Sequence, residues 1–358
     1  MKEIIEIDGS MGEGGGQVLR TAIALSALSM KPIKIYNIRA KRSNPGLRPQ
    51  HLTGIKMLVK ITDAEVQGLY VNSTSIAFSP KQCKSGKFEF NIGTAGSISL
   101  VLQTILPVMA FAPRKTELKI IGGTDVRWSP PIDYMKNVFI KYLEKMGYKV
   151  EIEIIRRGHY PKGGGIVRVI THPVKKLKPI EIMELGEIIK IEGISHCVKL
   201  PRHVAERQRK AAIEVLRSAG YTNIEIKSEW YEPAKDRHLG PGSGIVLWAI
   251  SDRGAILGSD ALGERGKRAE QVGREAAHKL LEEIRGGAPI DSHVGDMLPP
   301  YMAVAEGTSR ITVSKLTLHA KTSMKVVERI LGVKFDIKEN RNAKVSVKGL
   351  GITNKYIH

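Results

Sequence analysis

A β-α-β-α-β-β order of elements recurs along the chain, and that recurrence limits the fold more than any single motif does. Ile4–Ile7 reads as a strand, followed by a glycine-rich turn and a helix from about Gly15 to Leu28. A strand at Ile33–Ile38, a helix from about Gln50 to Ile61 and strand-like pieces near Glu65–Gln67 and Ser75–Ser79 complete the unit. The order returns with strands at Phe88–Ile92, Glu117–Ile121, Val150–Ile155 and Gly165–Ile170, and helices at Ile98–Phe111 and Ile132–Lys145. It returns again towards the C-terminus, with helices at Val294–Ala305 and Ser323–Leu331 and strands at Ile311–Ser314, Val333–Ile337 and Ala343–Val347. Each unit has an apolar sheet face that helices must cover. The expectation is an α/β fold (an α+β sandwich) built from three such repeats.

The layout changes between about Leu185 and Arg285. Strand-like Ile188–Ile191 precedes an amphipathic helix at Val204–Ala219. Strands at Ile224–Lys227, Ile245–Ile250 and Ala255–Leu257 follow, then a helix from Arg265 to Ile284 and a Gly286-Gly287 stop. This stretch reads as a small inserted α/β domain, with a longer third repeat as the alternative. The expected division is a large catalytic domain from residues 1–184 and 287–358, and an insertion at 185–286.

Charge narrows the partners. Lys and Arg number 56 against 36 Asp and Glu, a formal excess of +20. Such an excess suits nucleic acid, a nucleotide or an acidic membrane surface; a lysine-rich surface without a ligand is the plainer alternative. Two cysteines, Cys83 and Cys197, are too few for a disulfide framework and lack the spacing of a metal cluster. They point to a reducing, cytoplasmic setting. The charged start, Met1-Lys-Glu, runs straight into Ile4 without a signal-peptide core, and no apolar run reaches the ~18 residues of a membrane span.

Several turns could carry chemistry. In Asp8–Arg20, three consecutive glycines precede a helix and present backbone N–H groups to an anion. The spacing is that of neither a P-loop nor a dinucleotide fingerprint. Glu13 in this turn could ligate Mg²⁺ beside phosphate oxygens, and Arg20 could pair with a phosphate; a solvated Glu and a surface Arg are the bland alternative. Arg39–His51 carries four basic side chains around a Pro-Gly turn, suited to phosphates or a nucleic acid backbone. Gln103 interrupts an apolar helix, so its amide needs a partner, from backbone or ligand. Pro130 and Pro131 offer a flat apolar surface or a simple helix start. Arg156–Gly165 is a third glycine-rich basic turn, between two strands. Asp296 opens a helix one turn after His293, and could orient a neighbouring imidazole so that its other nitrogen becomes the nucleophile. His319, at the next strand-to-helix junction, is the obvious imidazole.

Taken in order along nearly the whole chain, these segments resemble the RNA 3′-terminal phosphate cyclase family. The carrying stretches are Asp8–Arg20, Arg39–His51, Gly93–Thr104, Gly122–Pro131, Arg157–Gly165, Pro201–Arg207, His293–Leu298 and His319–Val327. The resemblance implies three similar repeats with a small inserted domain. It implies that His319 attacks the α-phosphate of ATP, that the resulting AMP passes to an RNA 3′-phosphate, and that a 2′,3′-cyclic phosphate forms. Glu13 then corresponds to a ligand of Mg²⁺ or Mn²⁺, and Asp296 to the acid that orients His319. Gln103, Pro130, His293, Val294, Gly295, Asp296 and Met297 correspond to nucleotide-binding positions, with Pro130 and His293 around the adenine. Arg20, Arg39, Arg42 and His51 correspond to phosphate-facing positions. RNA with a 3′-phosphate and ATP are the implied partners, without a membrane, and a homo-oligomer is left open.

The chain departs from the family pattern at two positions. Met297 stands where Gln is expected, and Gly295 replaces a commoner Ala. An amide contact to the nucleotide is thus lost or supplied elsewhere. Other readings are a non-catalytic cyclase-like protein of ribosome assembly, which would lack the nucleophilic histidine; a generic RNA-binding protein, which would need more aromatics than the 5% present; and an enolpyruvyl-transferase-like enzyme, which offers no role for His319.

Overall fold

A computed structural model describes residues 3–357; Met1 and Lys2 of the charged start lie outside the described residues. It is a mixed α/β structure with four four-stranded sheets. The first unit runs β1 (Ile5–Asp8), α1 (Gly16–Ser29), β2 (Ile33–Tyr36), α2 (Pro49–Thr62), β3 (Glu65–Gln67) and β4 (Ile76–Ser79). The second runs β5 (Lys87–Asn91), α3 (Ile98–Met109), β6 (Thr116–Gly122), α4 (Ile132–Tyr134), a π-helical turn (Met135–Phe139), α5 (Ile140–Lys145), β7 (Lys149–Arg156) and β8 (Gly165–His172). After β9 (Glu181–Ile182) come β10 (Ile188–Val198), α6 (His203–Ser218), β11 (Ile224–Glu229), β12 (Gly242–Ser251), β13 (Ile256–Leu262) and α7 (Ala269–Gly286). The chain ends with α8 (Ser292–Met297), α9 (Pro299–Val304), β14 (Glu306–Val313), α10 (Leu318–Leu331), β15 (Phe335–Glu339) and β16 (Ala343–Leu350).

Three sheets share one strand order, first-second-fourth-third: β1-β2-β4-β3, β5-β6-β8-β7 and β9-β14-β16-β15. In each, the first two strands are parallel and the rest antiparallel. The fourth sheet, β11-β10-β12-β13, has a different order. Strand β9 was not expected from the sequence. Its two residues pair with Arg310 and Ile311, too short a run to show a period-2 pattern.

Other boundaries shift for identifiable reasons. The expected helix at 294–305 is split after Met297, because Pro299 and Pro300 have no N–H to continue the ladder. The helix expected from Ser323 begins at Leu318, since the Thr317 hydroxyl accepts the Ala320 N–H at 3.0 Å and caps it. That places His319 in the first turn of α10.

The core explains how the fourth sheet sits. Residues Ile245–Ile250 form a nearly continuous apolar run, the pattern of a strand buried on both faces. Ile245, Leu247 and Ala249 pack with Leu216, Val272 and Leu280 under α6 and α7. Val246 and Trp248 point the other way, into the large core shared by the three similar sheets. Within that large body, α1 packs against α2, α3 and α10. The start of α1 meets the first turns of α10 through Glu13 and Thr322, and the starts of α2 and α3 meet through Gln50 and Ser97; the candidate site lies there.

Candidate active site

The turn before α1 is left-handed at Gly12 and Gly14, which no bulky residue adopts cheaply. It leads to Gly15, which caps α1 without a side-chain hydrogen bond, so the first N–H groups of the helix get no partner from the cap itself. Glu13 is held in this turn by two contacts. Its N–H donates to Thr322 Oγ1 of α10 (3.2 Å), and its Oε1 accepts from the Gln17 N–H (3.2 Å). Oε2 faces Arg42 and, at 3.2 Å, His319 Nδ1. The hydrogen bond to Glu13 raises the pKa of His319, against its partial burial, and Asp296 adds to the rise. Burial would raise the pKa of Glu13, yet His319, the Gln17 N–H and Arg42 bring it down.

The basic loop surrounds this pair. Arg20 donates to Gln17 Oε1 at 2.7 Å, while its Nε has no partner among the described residues. Burial pulls the pKa of Arg20 down to about 10. Buried His51 accepts the Arg48 N–H on Nδ1 at 3.1 Å, so its ring proton sits on Nε2. Burial, then Arg20, Arg39 and Arg48, push its pKa down to about 3, which keeps it a neutral donor. Arg39 turns back on its own loop, donating to the carbonyls of Asn44 (2.7 Å) and Gly46 (3.0 Å). Its charge reaches the site, but its guanidinium is spent on fixing the loop.

A cavity lined by Gln17, Arg20, Gln103, Asp296, Met297 and Tyr301 adjoins this cluster. A second, sharing Arg20, is lined by Gln50, His51 and Thr104. Gln103 Nε2 donates to Met297 Sδ at 3.2 Å, so the amide partner sought for Gln103 is a thioether. Gly295 has a steric cause: a Cβ there would stand 2.6 Å from Val313 Cγ1, inside the core. Asp296 does not touch His319. It accepts from the Thr317 hydroxyl, the residue that caps α10, and burial raises its pKa. The carboxylate that meets the imidazole is Glu13.

The remaining expected residues frame α8. Asp291, fully buried, accepts from the Val294 N–H (2.9 Å), the Gly258 N–H (2.8 Å) and the Tyr134 hydroxyl (2.5 Å). His293 is exposed and meets the Tyr134 ring edge-on, 5.6 Å between centroids. Pro130 is buried and its carbonyl accepts from Ser99. Sequence reasoning missed Gln17, Thr317 and Asp291. Thr317 and Asp291 are N-caps, each a polar residue directly before a helix, and that signal was available.

Among the described residues, no helix is long and apolar enough to cross a membrane. Cys83 and Cys197 are buried and free, with burial pushing the Cys83 thiol up to about 12.

Comparison with known proteins bears on the whole chain. The model of the family described as RNA 3′-terminal phosphate cyclase matches residues 11–337. The RNA 3′-terminal phosphate cyclase of Ignicoccus hospitalis is 56% identical over 92% of this chain and 93% of its own. That of Staphylothermus marinus is 56% identical over 98% and 99%, and that of Pyrobaculum aerophilum 54% over 97% and 99%. A solved structure, the enolpyruvyl transferase NikO from Streptomyces tendae, aligns at a TM-score of 0.40 with 10% identity, covering 100% of this chain and 50% of that one. With a match of this length and relatives of this identity, the chain belongs to the enzyme family of RNA 3′-terminal phosphate cyclases.

Proposed function

We propose that the chain converts an RNA 3′-phosphate to a 2′,3′-cyclic phosphate at the expense of ATP, through a covalent histidyl-AMP on His319. One observation carries this reading. Nδ1 of His319 meets Glu13 at 3.2 Å, which leaves Nε2 with its lone pair free on a half-exposed ring. In the first step Nε2 attacks the α-phosphorus of ATP, an N–P bond forms, and pyrophosphate leaves. In the second, an oxygen of the RNA 3′-phosphate attacks that phosphorus and the N–P bond breaks, giving RNA-(3′)pp(5′)A. In the third, the neighbouring 2′-hydroxyl attacks the terminal RNA phosphorus, loses its proton, and AMP leaves. Each displacement has a better leaving group than direct loss of hydroxide would offer.

The surrounding residues suit these steps. The N-terminus of α1 and the free Nε of Arg20 favour phosphate oxygens, and neutral His51 offers an N–H rather than a repelled charge. Arg42 adds a guanidinium beside Glu13, while Arg39 shapes the loop. Asp296 is a positioning residue: through Thr317 it fixes the first turn of α10, and hence the His319 ring. Gln103 and Met297, which line the cavity, and exposed His293 would seat the nucleotide, while Val294, Gly295 and Pro130 are buried and would support that seat from behind. No group of three ligand side chains includes Glu13 among the described residues. A single carboxylate fits Mg²⁺ or Mn²⁺ when nucleotide phosphates complete the shell. Such an ion would neutralise phosphate charge during the displacement. We also propose that the three sheets of common order derive from one repeated unit, and that residues 185–286 are inserted into the third.

The test is incubation with α-labelled ATP and Mg²⁺ or Mn²⁺, followed by denaturation. Label that is acid-labile, alkali-stable and absent from His319→Ala is the expected result. A chain that takes up no label with either ion overturns the proposal.

A further inference from the structure

A second cluster of ionisable side chains lies away from that site, sealed where the fourth sheet meets the second. Asp125 follows β6, His159 sits in the turn between β7 and β8, and His196 belongs to β10. A backbone bridge sets Asp125 beside His159, and β10 fixes His196 by pairing it with Glu229 and Gly244. All three side chains are buried. His159 Nε2 and His196 Nε2 stand 3.0 Å apart. Asp125 Oδ1 is 3.7 Å from His196 Nε2, and Oδ2 is 4.0 Å from His159 Nε2.

Two features of this cluster are not accounted for by its hydrogen bonds. Asp125 Oδ1 is buried with no hydrogen-bond partner among the described residues. The charge is also unbalanced. Arg157, fully buried, reaches Asp133 at 2.7 Å, Glu229 at 2.7 Å and Asp125 at 3.4 Å; with Glu229 one-third exposed, the two buried carboxylates still outnumber the one guanidinium, an excess of one buried negative charge. A buried excess of that size is costly unless a cation offsets it.

The geometry points to a divalent transition-metal site of the zinc class, with His159 Nε2, His196 Nε2 and an Asp125 carboxylate oxygen as its protein ligands. Two imidazoles and a carboxylate form a donor set suited to such an ion, with a fourth position left for solvent. Ligands about 2.1 Å from a tetrahedral centre lie about 3.4 Å from one another. The imidazole nitrogens at 3.0 Å and His196 Nε2 to Asp125 Oδ1 at 3.7 Å bracket that value; His159 Nε2 is nearest the other oxygen, Oδ2, at 4.0 Å, and one ligand atom from each residue can be chosen so that all three lie within 4.8 Å of one another. The ion would satisfy Asp125 Oδ1 and offset the buried excess of negative charge. The two Nδ1 atoms lack partners with or without it, and so decide nothing. Because His196 comes from the fourth sheet and Asp125 and His159 from around the second, the ion would cross-link the two. None of the three residues lines either cavity beside His319, so the site is independent of the proposed reaction.

The test uses the full chain, stripped with a chelator and titrated with Co²⁺, whose visible absorption reports coordination. One equivalent with a four-coordinate spectrum, displaced by Zn²⁺ and retained in Glu13→Gln, is the expected result. His159→Asn and His196→Gln should each weaken binding by more than roughly 100-fold, the upper end of what losing an outer partner of a ligand costs. No such spectrum in the wild-type chain, or one lost in Glu13→Gln and kept in both histidine variants, overturns the site. Should the histidine variants not fold, X-ray absorption on the Co²⁺-loaded Glu13→Gln chain decides: a shell with two imidazole nitrogens supports the site, and a shell without them overturns it.

Discussion

Around Glu13, one carboxylate meets an imidazole and a guanidinium, with Arg20 and Arg39 near; around Arg157, one guanidinium meets three carboxylates beside two imidazoles. The side-chain types are the same, and the consequences are opposite. His319, half-exposed and hydrogen-bonded to a carboxylate, has its pKa raised. His196, fully buried beside Arg157, is pushed down to about 3, although Asp125 pulls the other way. Exposure decides the sign: where water remains, the nearest charge sets protonation, and where it is excluded, desolvation dominates. An open cluster with surplus cations is ready for an anionic ligand. A closed one with surplus anions holds structure.

The largest expected effect lies in the open cluster. His319→Ala should abolish covalent AMP uptake while leaving the thermal transition near that of the wild type, because the ring is half-exposed and packs little core. Residual label at the wild-type level would remove His319 from the chemistry. The closed cluster should respond in the converse manner. Arg157→Met leaves two buried carboxylates, Asp125 and Asp133, and the half-buried Glu229 without their guanidinium and should cost ~3–5 kcal/mol of stability, as breaking a buried ion pair does. Denaturant unfolding checks this, and a loss below ~1 kcal/mol would mean the cluster is wetter than its geometry indicates.

A finer contrast concerns protonation. Glu13→Gln removes the main cause of the raised His319 pKa, so the ring should titrate at lower pH than in the wild type. NMR of the His319 ring follows this without any need for activity. In the wild type, adenylylation should fall as pH drops through the raised pKa, since the imidazolium has no lone pair to attack with. An unchanged titration in Glu13→Gln would show that the 3.2 Å contact does not govern the ring.

Smaller effects probe how the open cluster is supported. Gly295→Ala forces a Cβ to within 2.6 Å of Val313 and should cost about 1–3 kcal/mol, the range for overpacking. An unaltered denaturation midpoint would indicate that Val313 yields freely. Thr317→Val removes the cap of α10 and the partner of Asp296, and should cost ~1 kcal/mol with a drop in adenylylation rate. A variant that loses stability without loss of rate would limit Asp296 and Thr317 to holding the helix.

The two regions also differ in how well the sequence announces them. The open cluster is made of local signals: consecutive glycines before α1, an Arg-rich loop with Pro45 and Gly46, and a histidine after a capping Thr317. Such signals concern turns and helix starts, which neighbouring residues govern. Even there, closeness along the chain is a poor guide to pairing. Asp296 looked like the partner of His319 because it lies in the same stretch of chain, yet Glu13, more than 300 residues away, makes the contact. The closed cluster gave no comparable sign. Arg157 and His159 share one glycine-rich turn, but Asp125, His196 and Glu229 come from other turns and strands, and nothing in the spacing joins them to it.

By itself the sequence determined the mixed α/β character, the order of most elements and the glycine turn, because periodicity, propensity and turn chemistry act over a few residues; His319 as nucleophile is what the family resemblance implies. The packing of α1 against α3 and α10, the two-residue strand β9, the facing of Glu13 and His319, and the charge imbalance around Arg157 were decided only in three dimensions. Those features depend on which distant side chains burial brings within a few ångströms of each other, and electrostatic energies at such distances are set by exclusion of water as much as by the identity of the charges.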